Sequence, residues 1–207
     1  MKMIFASVVI LGLVMAVLLF TAIYDIKYQD VFLVAPFAIW VLALFNIYFI
    51  GGGTMELLLA STSGLFLFVL GFLMYFLGST GFGDALLFWS IGFLLGDLNI
   101  AMWFLAFTIV SFIPFFVLYI LKYWKSKGYD ITLNGFLRQV EVKDLKEGMV
   151  LSQSKVWKGI KQEEIDTLRE AHGLNYKIWI KEGIPFAPAM FCGMVFILAS
   201  GLLPYLN

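Results

Sequence analysis

Run length of apolar residues constrains this chain more than any other feature. Five stretches of about twenty mainly apolar residues run from Ile4 to Tyr24, Val31 to Ile50, Glu56 to Leu77, Ile100 to Leu121 and Ile184 to Leu206. A helix of that length crosses the roughly 30 Å hydrocarbon core of a bilayer. A sixth stretch, Gly81 to Gly96, has sixteen residues and would rise only about 24 Å. Short breaks such as "GGGT" at Gly51 separate the runs. With 62% hydrophobic and 14% charged residues and a mean hydropathy of +0.94, the chain lies outside the range of soluble domains. The first run exceeds a signal-peptide core and no A-x-A-like site follows, so it is expected to stay as a helix.

Composition changes between Lys122 and Gly183, where twelve basic and nine acidic residues replace the apolar runs. That predicts a membrane part over residues 1–121, a small α+β domain over 122–183 and a last helix over 184–207. Within the small domain, "QVEVKDLKEGMVL" predicts strand, turn and strand. "KQEEIDTLREAHG" predicts a helix with Ile165 and Leu168 on one face and Gly173 stopping it, and "YKIWI" alternates as a strand does. About sixty residues make a marginal core. His172, the only histidine, suits the last turn of that helix better than catalysis. The lone Cys192 lies in an apolar run, so no disulfide or Cys-x-x-Cys metal site is expected.

Lys122, Lys125 and Lys127 follow the fifth run, which places the small domain on the cytoplasmic side by the positive-inside rule. With six crossings, parity puts "YDIKYQD" and "GSTGFGD" on that same side, and "GGGT", "GDLN" and both termini outside. The fold expected is thus an all-α polytopic membrane protein of six transmembrane helices, with a small cytoplasmic α+β domain between the fifth and sixth.

Asp25 ends the first helix in this reading and Asp84 opens the fourth, two carboxylates 59 positions apart on one membrane face. An acid in a membrane helix costs about 2.5 to 3.5 kcal/mol at mid-helix and usually faces a cavity or partner. Each acid singly also fits a helix-end role, Asp84 as an N-cap. The short fourth helix suggests a recess where water reaches Asp84 and irregular backbone is sheltered from lipid. Two carboxylates in one recess would share a proton, one deprotonating water while the other polarises a carbonyl. Gly81 and Gly83 can take positive φ and leave no side chain beside Asp84, so an extended substrate backbone can approach.

These features together, with "GIPFAPAMFCG" leading into the last helix, resemble the prepilin peptidase family over nearly the whole chain. The likeness is greatest to its archaeal branch, the preflagellin (archaellin) and prepilin peptidases. By that resemblance Asp25 and Asp84 match the two catalytic aspartates, Gly81 and Gly83 the G-x-G-D glycines, and Pro185, Phe186 and Pro188 a P-F-x-P segment near the active site. The resemblance implies an aspartic endopeptidase without cofactor or metal, whose partners are pilin-like or archaellin precursors and membrane lipid, not nucleic acid. Leu86 stands where the family often has lysine, and Lys27 is a candidate to replace that charge. The bacterial I-P-N is replaced by "VFLVAP", and no tetracysteine domain precedes the first helix, so N-methylation is not implied.

Asp30 could meet the leader's positive charge, although a solvated loop acid is the simpler reading. Asp97 and Glu56 are expected to cap helix ends, and Pro114 to kink the fifth helix. The presenilin and signal-peptide-peptidase group also has Tyr-Asp and G-x-G-D, but with nine spans and Pro-Ala-Leu where this chain has "PFAP". A proton-coupled transporter with Asp25 and Asp84 as relay groups predicts acids nearer mid-membrane and a repeat between halves.

Overall fold

A computed structural model describes residues 2–28, 31–76, 80–124, 129–132, 135–147, 149–152, 159–182 and 185–203. These residues are mostly helical: α1 (Lys2–Tyr28), α2 (Val34–Phe49), α3 (Thr54–Phe76), α4 (Phe82–Leu95), α5 (Leu98–Trp124), α6 (Gln162–His172) and α7 (Ala187–Ala199). A small sheet adds β1 (Tyr129–Thr132), β2 (Gly135–Glu141), β3 (Val150–Leu151) and β4 (Lys177–Glu182). Among the described residues three segments are long and apolar enough to cross a membrane, Phe5–Lys27, Thr54–Phe76 and Leu98–Leu118.

The other apolar helices are shorter than the sequence suggests. α2, α4 and α7 have 16, 14 and 13 residues, or about 24, 21 and 20 Å of rise. Glycines mark all three ends, Gly96 closing α4 at φ 68°. Gly51 takes φ 71° after α2, and Gly52 N–H returns to the Ile47 carbonyl at 2.9 Å. α7 stops at Ala199 rather than running to Leu206, because Ser200 closes the helix and Gly201 turns left-handed at φ 65°. Pro114 is accommodated inside α5, which continues to Trp124.

Helix α4 is the hub. Phe88, Leu87, Ile91 and Leu95 are fully or almost fully buried, so α4 need not match the bilayer by itself. Small residues let α3 lie against it. A Cβ on Gly92 would sit 2.6 Å from the Ser63 carbonyl oxygen, and one on Gly71 would sit 2.9 Å from the Ala85 Cα. Ser63 Oγ donates to the Gly92 carbonyl at 2.8 Å across this contact. Gly64 meets Trp89 and Phe93 while Gly71 meets Ala85 and Phe88, so the two helices run antiparallel. On the other side, Trp40 of α2 stacks on Trp89 at 5.9 Å and Val31 meets Gly83, which makes α2 and α4 parallel. α7 packs antiparallel to α5, with Gly193 against Thr108 and Phe186 against Phe112. The end of α1 and the starts of α2, α4 and α7 therefore gather at one end of the bundle. Large apolar side chains such as Phe20, Phe37, Leu73, Val110 and Leu118 point outward, as a lipid-facing surface requires.

The small domain is a four-stranded antiparallel sheet in the order β1-β2-β4-β3, with α6 packed on it. The strand, turn and strand expected from "QVEVKDLKEGMVL" are β2, a 3-10 turn at Val142–Asp144 and β3, and β4 inserts between the two strands. Val140 pairs with Ile178 and Leu151 with Ile180, and the core closes around Val142, Leu145, Ile160, Ile165 and Ile180. The expected helix is α6, with Ile165 buried, Leu168 packed on the same core and Gly173 at φ 77° ending it. His172 stacks on Tyr176 at 4.6 Å.

Candidate active site

Asp25 does not end its helix, since α1 continues to Tyr28. It belongs to a buried stripe at helical spacing, Leu11, Val14, Leu18, Thr21, Ala22 and Asp25, and only 4% of it is exposed. What the carboxylate meets is the start of α7. Ala187 N–H donates to Asp25 Oδ2 at 2.9 Å. The "PFAP" segment explains why that donor needs an outside partner. Phe186 occupies the N-cap and offers no side-chain cap, Pro188 has no N–H, and the amides of Ala189 and Met190 already reach the Phe186 carbonyl. Ala187 carries the amide left over in the first turn, and a carboxylate there also suits the helix dipole.

Asp84 caps α4 from its third position rather than from the N-cap itself. Gly81 is the N-cap, and Asp84, three residues on, reaches back so that Gly81 N–H donates to its Oδ2 at 3.0 Å. Glu56 makes the same return to Gly53 N–H at 2.7 Å at the start of α3, in exposed surroundings. Asp97 Oδ1 accepts from the amides of Asn99 and Ile100 at the start of α5. Glu56 and Asp97 thus cap helices, as their sequence positions suggest. Asp84 differs in being 8% exposed, and a capping role alone does not call for that burial.

The positive φ expected of the two glycines is not adopted. Gly81 has φ −76°, Gly83 is helical, and the positive-φ glycines among the described residues are Gly51, Gly96, Gly173 and Gly201. Gly83 is needed for contact instead: a Cβ there would lie 2.8 Å from Val31 Cβ and 3.2 Å from the Val31 carbonyl oxygen. The space beside Gly83 is filled by the chain's own Val31. At Gly81 a Cβ would meet only Asp84 Oδ2 at 3.6 Å, an ordinary contact.

The segment that Asp25 holds also approaches α4 and α5. Phe186, next to Ala187, lays its ring 5.7 Å from Phe88 and 4.9 Å from Phe112. Phe88 is one turn beyond Asp84 on the same face of α4. Asp25 thus bonds the start of α7, where Pro185, Phe186 and Pro188 are buried, and Asp84 lies one helical turn from Phe88, whose ring meets Phe186. Lys27 lies on the exposed side of α1, away from the buried face that carries Asp25, and Leu86 is half-buried on α4. Asp30 falls outside the described residues. Sequence reasoning missed the Ala187 amide, although a proline at the second helical position was a signal that one first-turn donor had been removed and its neighbour left over. It also missed Val31 and the paired rings of Phe88 and Phe112, which only the packing reveals.

Comparison of the chain with protein-family models, with curated proteins and with solved structures finds no match.

Proposed function

We propose that this chain is a membrane-embedded aspartic endopeptidase of the prepilin peptidase type. It removes short basic leaders from pilin-like or archaellin precursors at the cytoplasmic membrane face. The observation that carries this reading is the burial of two carboxylates in the bundle, Asp25 on the first amide of α7 and Asp84 one helical turn from Phe88, whose ring meets Phe186. Buried acids within an apolar helical bundle are costly and mark function by default. In this reading all six apolar helices cross the membrane, the residues 122–183 face the cytoplasm and the termini lie outside. The short α2, α4 and α7 then leave a recess in which water meets the scissile bond.

The chemistry needs one ionised and one protonated carboxyl. The ionised group takes a proton from water as the water oxygen attacks the scissile carbonyl carbon, and the protonated group gives its proton to the carbonyl oxygen. The resulting gem-diol collapses as the C–N bond breaks and a proton passes to the leaving amine. One water is consumed, and a carboxylic acid and an amine are released.

Coexpression of a pilin-like precursor with wild type, Asp25→Asn and Asp84→Asn, followed by precursor size on immunoblots, tests the assignment. Both variants should leave the precursor uncut. Full processing by either one would rule out the two-aspartate mechanism.

A further inference from the structure

Thr80 lies one residue before the N-cap of α4. It is 7% exposed, and among the described residues its Oγ1 has no hydrogen-bond partner. Buried hydroxyls seldom remain so. Elsewhere in the bundle Thr21, Ser63 and Ser90 bond to the carbonyl four residues back in their own helix. Ser7, Thr108 and Ser111 also lack partners, but each sits within a helix, where a χ1 rotation offers the same carbonyl. Thr80 precedes α4, so no carbonyl of that helix lies four residues back from it.

Its position relative to the acid is fixed. The peptide joining Thr80 to Gly81 carries the N–H that donates to Asp84 Oδ2, so the hydroxyl branches one residue from the group that holds the carboxylate. The backbone groups of Gly81 and the amide at the start of α7 are engaged. Gly81 N–H serves Asp84, the Gly81 carbonyl accepts from Asp84 N–H at 3.2 Å, and Ala187 N–H serves Asp25. A peptide entering the recess brings N–H and C=O groups that lose water and need partners. A hydroxyl can donate to one and accept from the other.

We propose that Thr80 Oγ1 is a substrate-binding group that hydrogen-bonds the precursor backbone beside the scissile bond. This rests on the peptidase reading above. Since the bond is made on binding and kept through the reaction, its loss acts on KM rather than kcat.

Full-length Thr80→Val and Thr80→Ser, purified in mild detergent and assayed with an intact precursor, test the assignment. Thr80→Val should raise KM by about fivefold, the scale of one lost neutral hydrogen bond, with kcat within about twofold of wild type. Its melting temperature should equal or exceed that of wild type, because the isosteric change removes an unpartnered polar atom. Thr80→Ser, which keeps the hydroxyl, should match wild type in KM. A wild-type KM in Thr80→Val overturns the assignment, as does a defect in Thr80→Ser equal to that of Thr80→Val. A lowered melting temperature with parallel loss of kcat does so too. Asp84→Asn separates the two levels. If it is inactive while Thr80→Val behaves as wild type, only the Thr80 assignment fails; if it is active, the peptidase reading fails and Thr80 falls with it.

Discussion

Asp25 holds the start of α7 and, in the proposed mechanism, also works on water, and two substitutions separate these tasks. Asp25→Ala removes the acceptor from Ala187 N–H, an amide on a residue with no exposed surface. A buried donor left without a partner costs about 1 to 3 kcal/mol. Asp25→Asn keeps an oxygen that can accept from the same amide and loses the interaction of the charge with the helix dipole, about 0.3 to 1 kcal/mol and up to ~2 in buried settings. Asp25→Ala should therefore be the less stable of the two by about 1 to 2 kcal/mol, although both should be inactive. Denaturant unfolding in mild-detergent micelles measures the difference, and amide hydrogen exchange at Ala187 localises it. Exchange there should speed up in Asp25→Ala and change little in Asp25→Asn. Equal stability of the two variants, with unaltered exchange at Ala187, would refute the idea that this bond anchors α7.

Gly83→Ala should destabilise the protein by about 1 to 3 kcal/mol through overpacking against Val31, whereas Gly81→Ala should cost well under about 1 kcal/mol since its backbone and surroundings admit a methyl group. Unfolding of both in micelles checks the order, and a larger loss for Gly81→Ala would contradict it. In the small domain, the ammonium of Lys143, 2.6 Å from Glu141, holds that carboxyl below the ordinary 4.5. Glu141 therefore contributes stability above that pH, and the contribution is lost as pH falls through its lowered folded value. Carboxyl titration by NMR on the full chain should show the Glu141 midpoint rise in Lys143→Met and with added salt; a midpoint unmoved by either would contradict the pairing.

Local signals were read correctly wherever the determining contacts are local. Residues Gln162 to His172 repeat at helical period and meet Gly173, and α6 ends there. Glu56 and Asp97 cap the helices they precede or open, because a cap spans only two or three residues. Signals failed where the partner lies far along the chain. β4 separates β2 from β3 because Ile178 and Ile180 complete a core with Ile165, and β1 carries too short a pattern to stand out. Gly83 looked like a residue chosen for backbone freedom, yet its role is to admit Val31, 52 positions earlier.

By itself the sequence determined that this chain is built from long apolar helices with one small polar domain inserted, because the free energy of apolar surface follows from composition and run length alone. It also determined which two acids stand beside glycine or tyrosine within or next to the apolar runs. The tertiary structure decided the rest: that the short α4 is enclosed, that Asp25 is buried within α1 and not at its terminus, and that Asp25 takes the amide left over in the first turn of α7. Those outcomes depend on which helix faces touch, and helix contacts are set by the fit of glycine and serine backbones across α3 and α4, a property of pairs of segments that no single segment carries.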